Sequence, residues 1–182
     1  MNQKRLNSML GLGALLGMTA GCMAPRTAVV TAAPESLKTP ESQVLAIAAH
    51  AIGVQIYECQ AGGADPTAFA WTLKAPEAQL HYEAGKELGK HYAGPTWEAN
   101  DGSKVVGEVV AHDAGPDAAA IPWLLLRAKQ TSGTGVFSAV ESIQRLHTAG
   151  GKAPATGCSQ TYAGTEVRVA YSADYYFYKA KP

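Results

Sequence analysis

Net charge is what this chain most clearly lacks. Its 182 residues contain 15 basic and 15 acidic side chains. Without residues 1–21, which hold two of the basic residues and none of the acidic ones, 13 basic and 15 acidic residues remain, a net charge of −2. No basic stripe is visible along the sequence either. A chain with this balance has no field that attracts nucleic acid, so we expect no nucleic-acid partner.

Long helical runs are also scarce, and the motifs of two large enzyme classes are missing. The sequence has no Gly-x-Ser-x-Gly nucleophile elbow and no βαβ alternation. The glycine-rich run Gly11–Gly17 looks like a phosphate-binding loop, but it follows no strand and lies inside an apolar leader. The sequence therefore predicts neither a serine hydrolase of that type nor a dehydrogenase, and we expect no cofactor.

The first 21 residues have the layout of an export signal. Two basic residues precede an apolar stretch of about a dozen residues, which is too short for a comfortable membrane span. Thr19-Ala20-Gly21-Cys22 resembles the bacterial lipobox, with Thr19 where the motif prefers Leu. We predict that Cys22 is lipidated and anchors the protein in the membrane of the cell envelope. The alternative is a signal cleaved nearby and a secreted protein.

Two details refine this predicted location. Cys22 is followed by Met23. An aspartate at that position would count against the outer membrane, so Met23 favours the outer membrane of a Gram-negative host. Residues 22–42 are rich in Ala, Pro, Thr and Ser, and three prolines prevent a helix there. We interpret residues 22–42 as a tether between the membrane and a single domain at residues 43–182.

Cysteine is scarce, with three in the whole chain. If Cys22 carries lipid, Cys59 and Cys158 remain as an even pair in an oxidising compartment. A bridge between them closes a loop of about 100 residues, which the chain-entropy model values at up to ~4.7 kcal/mol. We predict this disulfide, with two buried thiols as the alternative. Neither cysteine has a histidine or cationic neighbour in sequence, which counts against a catalytic thiol.

The domain shows short alternating patterns separated by turn residues, typical of strands. Pro76 is expected to end one strand, and Asp101-Gly102 predicts a hairpin turn because it supplies positive φ angles. Residues 44–51 and 138–148 are compatible with strand or with short helix. The candidate strands are 43–60, 69–73, 77–83, 96–98, 104–113, 121–130, 138–148, 166–171 and 173–179. We predict one all-β domain, an antiparallel sandwich or barrel of about eight to ten short strands.

Polar and aromatic side chains concentrate between Gly89 and Gly107. The candidate ligand-binding residues there are His91, Tyr92, Trp97, Glu98 and Asp101. Flat apolar rings beside hydrogen-bonding groups suit a sugar, a peptidoglycan fragment or a small amphiphile. We therefore predict a binding or interaction module with a small-molecule or glycan ligand. The alternative reading places Trp97 and Trp123 in the core, Asp101 in the turn, and Glu98 on a solvated strand face.

Several of these residues also carry a family resemblance. The run His91–Trp97, then Asp101-Gly-Ser103 and Pro122-Trp-Leu-Leu125, resembles secreted bacterial and fungal proteins catalogued as domain of unknown function family 3455. Further matching segments are Gln144-Arg145, Thr148–Gly151, Ala153-Pro154, Gly157-Cys158 and Tyr175–Tyr178. The resemblance covers residues 44–179. It supports the predicted fold and location, and it implies no activity because the family has none assigned.

Two enzyme hypotheses remain as alternatives. Gly85–Glu98 partly matches the first cupin metal motif, but Ala93 replaces the second histidine and no downstream Gly-Pro-Gly-His segment follows. The weak candidate ligands for zinc, iron or manganese are His81, His91, Glu98 and His112. The second hypothesis pairs Glu98 with Asp101 for glycoside hydrolysis. We favour a binding module over a metal-dependent envelope enzyme, and a structural envelope protein is the third possibility.

Overall fold

The chain folds into a single closed antiparallel sheet. The computed structural model describes residues 33–63 and 65–182, so the predicted export signal and Cys22 lie outside the described residues. Each strand pairs with the next in sequence, and the last strand pairs with the first to close a barrel. The strands are β1 Gln43–Ala61, β2 Phe69–Tyr82, β3 Glu87–Tyr92, β4 Thr96–Ala99, β5 Lys104–Asp113, β6 Trp123–Ser132, β7 Ser142–Gly150 and β8 Glu166–Ala180. The predicted all-β antiparallel fold is confirmed.

Two short 3-10 helices, Glu35–Leu37 and Gln160–Tyr162, complete the secondary structure of this part of the chain. It contains no helix that is long and apolar enough to cross a membrane.

Several predicted strands merge into longer ones. β2 continues through Pro76, which we expected to end it. Proline is tolerated at Pro76 because β2 pairs only with β1 there, and the register of that pair slips nearby, between Ile56 and Tyr57. β8 likewise joins two predicted strands. The segment 44–51 is strand, because it pairs with β8 along its length.

The interior of the barrel is packed at the end where β1 begins and β8 ends. Phe137 and Val140, from the loop between β6 and β7, are buried in the interior core. The ring of Phe137 lies 4.7 Å from that of Phe177 on β8. This end of the barrel is therefore filled by side chains, as is common for eight-stranded barrels.

A second, smaller core lies on the outer face of the barrel. Leu37 is fully buried there, packed with Trp123, Leu146 and Tyr176. The side-chain amide of Gln144 donates a hydrogen bond to the Leu37 carbonyl at 2.6 Å. Residues 33–42, which the sequence analysis assigned to the tether, thus cover the outer wall and belong to the folded domain.

The predicted disulfide between Cys59 and Cys158 is confirmed, with the two Cα atoms 5.3 Å apart. It ties the end of β1 to the loop that precedes β8. The indole N–H of Trp71 also donates to the Thr156 carbonyl in this loop, at 2.9 Å. The disulfide and this hydrogen bond therefore both hold the long connection between β7 and β8 against the barrel.

The wall of the barrel has a gap between β2 and β5, beyond the turn of the short β3–β4 hairpin. β3 pairs with β2 only from Ala78 to His81, and β4 pairs with β5 only from Lys104 to Val106. Beyond the hairpin, no strand among the described residues pairs with the free edges of β2 and β5. The gap lies towards the end of the barrel opposite Phe137, and it opens the interior to solvent.

Candidate functional site

A cavity of about 380 Å³ lies at this gap. Its volume falls in the range that small-molecule sites occupy. Apolar lining comes mainly from Leu73, Pro76, Val109, Leu124 and Leu126. Polar or aromatic lining comes from Gln55, His91, Trp97, Arg145 and Tyr175. Because these side chains come from all eight strands, the closure of the barrel is what brings them together.

His91 on β3 and Trp97 on β4 form the aromatic wall of the cavity. They are register partners in the hairpin, and their side chains point inward together. The two rings stack with centroids 4.4 Å apart and planes 12° from parallel. Tyr175 on β8 meets both rings edge-on, at 5.2 and 5.3 Å. The three rings therefore form one packed aromatic cluster in the wall of the cavity.

The imidazole of His91 is neutral and has a defined tautomer. Nδ1 lies 2.8 Å from the Thr96 carbonyl, so Nδ1 carries the proton and Nε2 is an acceptor. Burial lowers the pKa of His91 to about 3, while the Thr96 hydrogen bond opposes the shift and the charge of Arg145 adds to it. At physiological pH the aromatic wall is thus uncharged.

Three residues that line the cavity carry buried polar groups without a partner. They are Nε2 of Gln55, Nε1 of Trp97 and the hydroxyl of Tyr175. Each of these residues is no more than 2% exposed, and none of the three atoms has a partner at close hydrogen-bond geometry among the described residues. Gln55, Tyr171, Tyr175 and Arg145 nevertheless lie near enough to one another for side-chain hydrogen bonds to act on the pKa values of the two tyrosines. Such a group costs about 1–3 kcal/mol when left unsatisfied, so each of the three calls for a partner such as an ordered water or a bound molecule.

Tyr175 remains a hydroxyl donor over the physiological pH range. Burial raises the pKa of its phenol, and the nearby charge of Arg145 only partly opposes this. Deeper in the barrel, the hydroxyl of Tyr171 is also buried and lacks a partner among the described residues.

Arg145 on β7 supplies a positive charge at the cavity. Its Nε and Nη2 both donate to the Pro122 carbonyl, at 3.1 and 2.8 Å. Two bonds to one oxygen fix the orientation of the planar guanidinium. Because Arg145 lowers the pKa of His91 and of Tyr175, its charge acts on the interior of the site.

Tyr92 and Glu98 lie on the opposite, outer face of the hairpin. The Tyr92 hydroxyl donates to Glu98 at 2.8 Å, and the ammonium groups of Lys104 and Lys90 lie 3.3 and 3.7 Å from the same carboxylate. The tyrosine hydrogen bond and the lysines lower the pKa of Glu98. The sheet separates Glu98 from His91, so these two side chains do not converge on a shared metal ion.

Asp101 lies at the filled end of the barrel, away from the cavity. Its Oδ1 accepts hydrogen bonds from the backbone and hydroxyl of Ser103, and its Oδ2 accepts one from the Val136 backbone. Asp101 therefore joins the β4–β5 turn to the β6–β7 loop. The turn has a positive φ at Gly102 but not at Asp101. Asp101 and Glu98 bind different partners, so they do not form a carboxylate pair.

The remaining candidate ligands are also apart from the cavity. His81 lies near the end of β2, where it pairs with His50 and Glu87, and His112 lies near the end of β5. Within the described ranges, no three His, Cys, Asp or Glu side chains are arranged to hold a metal ion.

Sequence reasoning missed Gln55 and Arg145 as cavity residues and left the direction of Tyr175 open. The available signal was a polar side chain in an otherwise apolar row. Gln55 gave this signal because it lies between Val54 and Ile56, whereas Arg145 did not, because it follows the polar Gln144. That signal points inward only once the strand register is known, and register depends on pairing between distant strands.

The comparisons with known proteins identify a family but no characterised relative. The family described as "Protein of unknown function (DUF3455)" matches residues 40–179. That range includes every cavity residue named above. A search of curated proteins found no match, and a search of solved structures found none either. Because the match covers most of the chain, this protein belongs to the family of proteins of unknown function DUF3455, as the sequence resemblance predicted.

Proposed function

We propose that this protein is a binding module of the cell envelope that holds a small amphiphilic molecule in the cavity of its barrel. The observation that carries the proposal is the set of unpartnered buried groups on Gln55, Trp97 and Tyr175 around one cavity. A ligand with oxygen acceptors would satisfy these groups, which have no partner at close hydrogen-bond geometry in the described part of the chain.

The shape of the site supports an amphiphile. Leu73 and Val109, on the two free strand edges that flank the gap, are 52% and 49% exposed. The stacked rings of His91 and Trp97 line the same cavity. Exposed apolar side chains at the mouth of a concave site are typical of ligand entry points.

The cell-envelope part of the proposal has separate support. The leader, the lipobox-like segment ending at Cys22 and the Cys59–Cys158 disulfide all fit a chain that leaves the cytoplasm. Metabolic labelling with a fatty acid tests it. We expect label in the wild-type protein and none in Cys22→Ser. Label that persists in Cys22→Ser would contradict the anchor.

Ligand binding is tested on the full-length protein, extracted from the envelope in mild detergent and examined by native mass spectrometry. We expect a stoichiometric small-molecule adduct whose release on unfolding identifies the ligand. Gln55→Leu, which removes one unpartnered donor and keeps the side-chain size, should weaken the adduct. Gln130→Leu, on an exposed position of β6, is the matched control. A bare protein mass that no exogenous amphiphile changes would support a structural envelope role instead.

A further inference from the structure

The charges around the cavity are all of one sign. Arg145 and Lys74 line it, and no Asp or Glu side chain does so in the described part of the chain. Lys74 is already neutralised on the outer surface, where its ammonium lies 2.9 Å from Glu58 and 2.6 Å from Glu166. Arg145 is therefore the cation that remains for a ligand.

Arg145 also differs from the other arginines that the structure describes. Arg127 pairs with Glu108 at 2.6 Å, and Arg168 pairs with Glu77 at 2.5 Å. Arg145 forms no ion pair, and its hydrogen bonds go to the neutral carbonyl of Pro122. A half-buried guanidinium that is fixed in orientation and lacks an acidic partner is suited to bind an oxyanion in a bidentate manner.

We infer that the ligand is an anion with a flat apolar body, whose carboxylate binds Arg145 and also accepts hydrogen bonds from Tyr175 and Gln55. This inference rests on the proposed function and names the ligand class of the same site. The flat body stacks against the wall formed by His91 and Trp97.

The donor-rich lining argues against a neutral sugar. Trp97 and Arg145 can only donate, and Gln55 and Tyr175 can donate as well as accept, whereas Nε2 of His91 can only accept. A sugar presents many hydroxyls whose protons need acceptors. A carboxylate presents only acceptors, so it matches this lining better.

The test uses three probes with one ring system and different charge: 2-naphthoate, 2-naphthylmethanol and 2-naphthylmethylammonium. Each is titrated into the full-length detergent-solubilised protein by isothermal calorimetry. We expect the naphthoate to bind roughly 10- to 100-fold more tightly than the alcohol, the range expected for a hydrogen bond to a charged group, and the ammonium to bind most weakly.

Arg145→Gln removes the charge, so it should weaken naphthoate binding by about the same 10- to 100-fold. The affinity for the alcohol should change by less than about threefold. Arg127→Gln, which breaks an ion pair on the outer surface, is the control and should leave all three affinities unchanged. Gln55→Leu should weaken the binding of naphthoate, and this loss would place the bound naphthoate in the cavity. If Arg145→Gln fails to fold, the probe series on the wild-type protein still decides.

Two kinds of result would overturn the inference, and they are distinguishable. Equal or tighter binding of the alcohol or the ammonium, or a preference that survives Arg145→Gln, refutes the anionic ligand but leaves the binding module standing. Failure of all three probes to bind refutes the proposed function itself.

Discussion

A histidine buried without an acidic partner is held in its neutral form, and this is the state of His91. Its surroundings offer a carbonyl to Nδ1, aromatic rings to its face and edge, and the positive charge of Arg145. Each of these fits an uncharged imidazole, and burial together with Arg145 disfavours the imidazolium ion. In the unfolded chain the same side chain takes up a proton near pH 6.5.

This difference makes stability depend on pH. The folded-state pKa of about 3 lies below the unfolded value of 6.5, so His91 contributes stability that is fully present above pH 6.5. As the pH falls towards 3, the unfolded state binds a proton that the folded state does not, and up to about 1.4 kcal/mol is lost per pH unit. His91→Asn keeps an N–H for Thr96 but cannot titrate, so we expect a shallower slope.

Urea unfolding followed by circular dichroism between pH 4.5 and 7.5 measures this slope. Carboxylates with lowered pKa values, such as Glu98 and Asp101, lose their contribution only below about pH 4.5, outside this window. Equal slopes in the wild type and in His91→Asn would contradict the assignment.

Two buried tyrosines provide a matched pair of substitutions. The Tyr57 hydroxyl donates to the Gly151 carbonyl at 2.7 Å, whereas the Tyr175 hydroxyl has no partner among the described residues. Tyr57→Phe should therefore cost about 0.5–1.5 kcal/mol of unfolding free energy, and Tyr175→Phe should cost nothing or stabilise the ligand-free protein. Chemical denaturation of both variants measures the difference. A cost for Tyr175→Phe as large as that for Tyr57→Phe would show that its hydroxyl is already satisfied.

At the scale of elements, the short β3–β4 hairpin determines where the cavity opens. Its turn at Ala93–Pro95 ends well before the longer strands on either side, so β2 and β5 are left with free edges. Free edges usually invite pairing with another chain. Pro76 on β2 reduces that risk because it lacks an N–H group.

Strand existence could be predicted from the sequence, and strand pairing could not. Alternation identified β4 and β5 almost residue for residue, and the Asp101-Gly102 turn between them. Pro76 was misjudged because a proline ends a central strand but not one with a free edge. Within the candidate site, alternation places Trp97 and Glu98 on opposite faces of β4, whereas only the pairing of β3 with β4 places His91 beside Trp97. Arg145 was out of reach because it joins the site only through pairing across the barrel.

The segment before β1 also behaves as a structural element. Leu37 is completely buried against the outer wall, so Leu37→Ala should lower the unfolding free energy by about 2–5 kcal/mol. Leu73→Ala, at a half-exposed position, should cost much less. Thermal or urea unfolding of the two variants tests this. Similar small losses for both would show that residues 33–42 contribute little to the domain.

At the scale of the whole molecule, the chain is closed in two ways, by the disulfide and by the pairing of its first and last strands. The Cys59–Cys158 bridge spans 99 residues, from the end of β1 to the loop before β8. It therefore encloses β2 to β7, while the pairing of β1 with β8 closes the barrel itself.

Replacing both cysteines tests how much the bridge adds. Cys59→Ala combined with Cys158→Ala should cost about 2–5 kcal/mol of unfolding free energy, while the far-ultraviolet spectrum of the barrel is retained. The wild-type protein treated with a reductant serves as the control and should lose a similar amount. No loss in either case would show that the sheet alone accounts for the stability.

The pairing of β1 with β8 also determines when the barrel can close during synthesis of the chain. Gln43 pairs with Ala180, so the first strand of the barrel is translated long before its partner. Contacts between such distant positions form late, because the loop that joins them must be closed first. A nascent chain therefore stays open until its last strand leaves the ribosome, which is the state that a narrow translocation channel accepts.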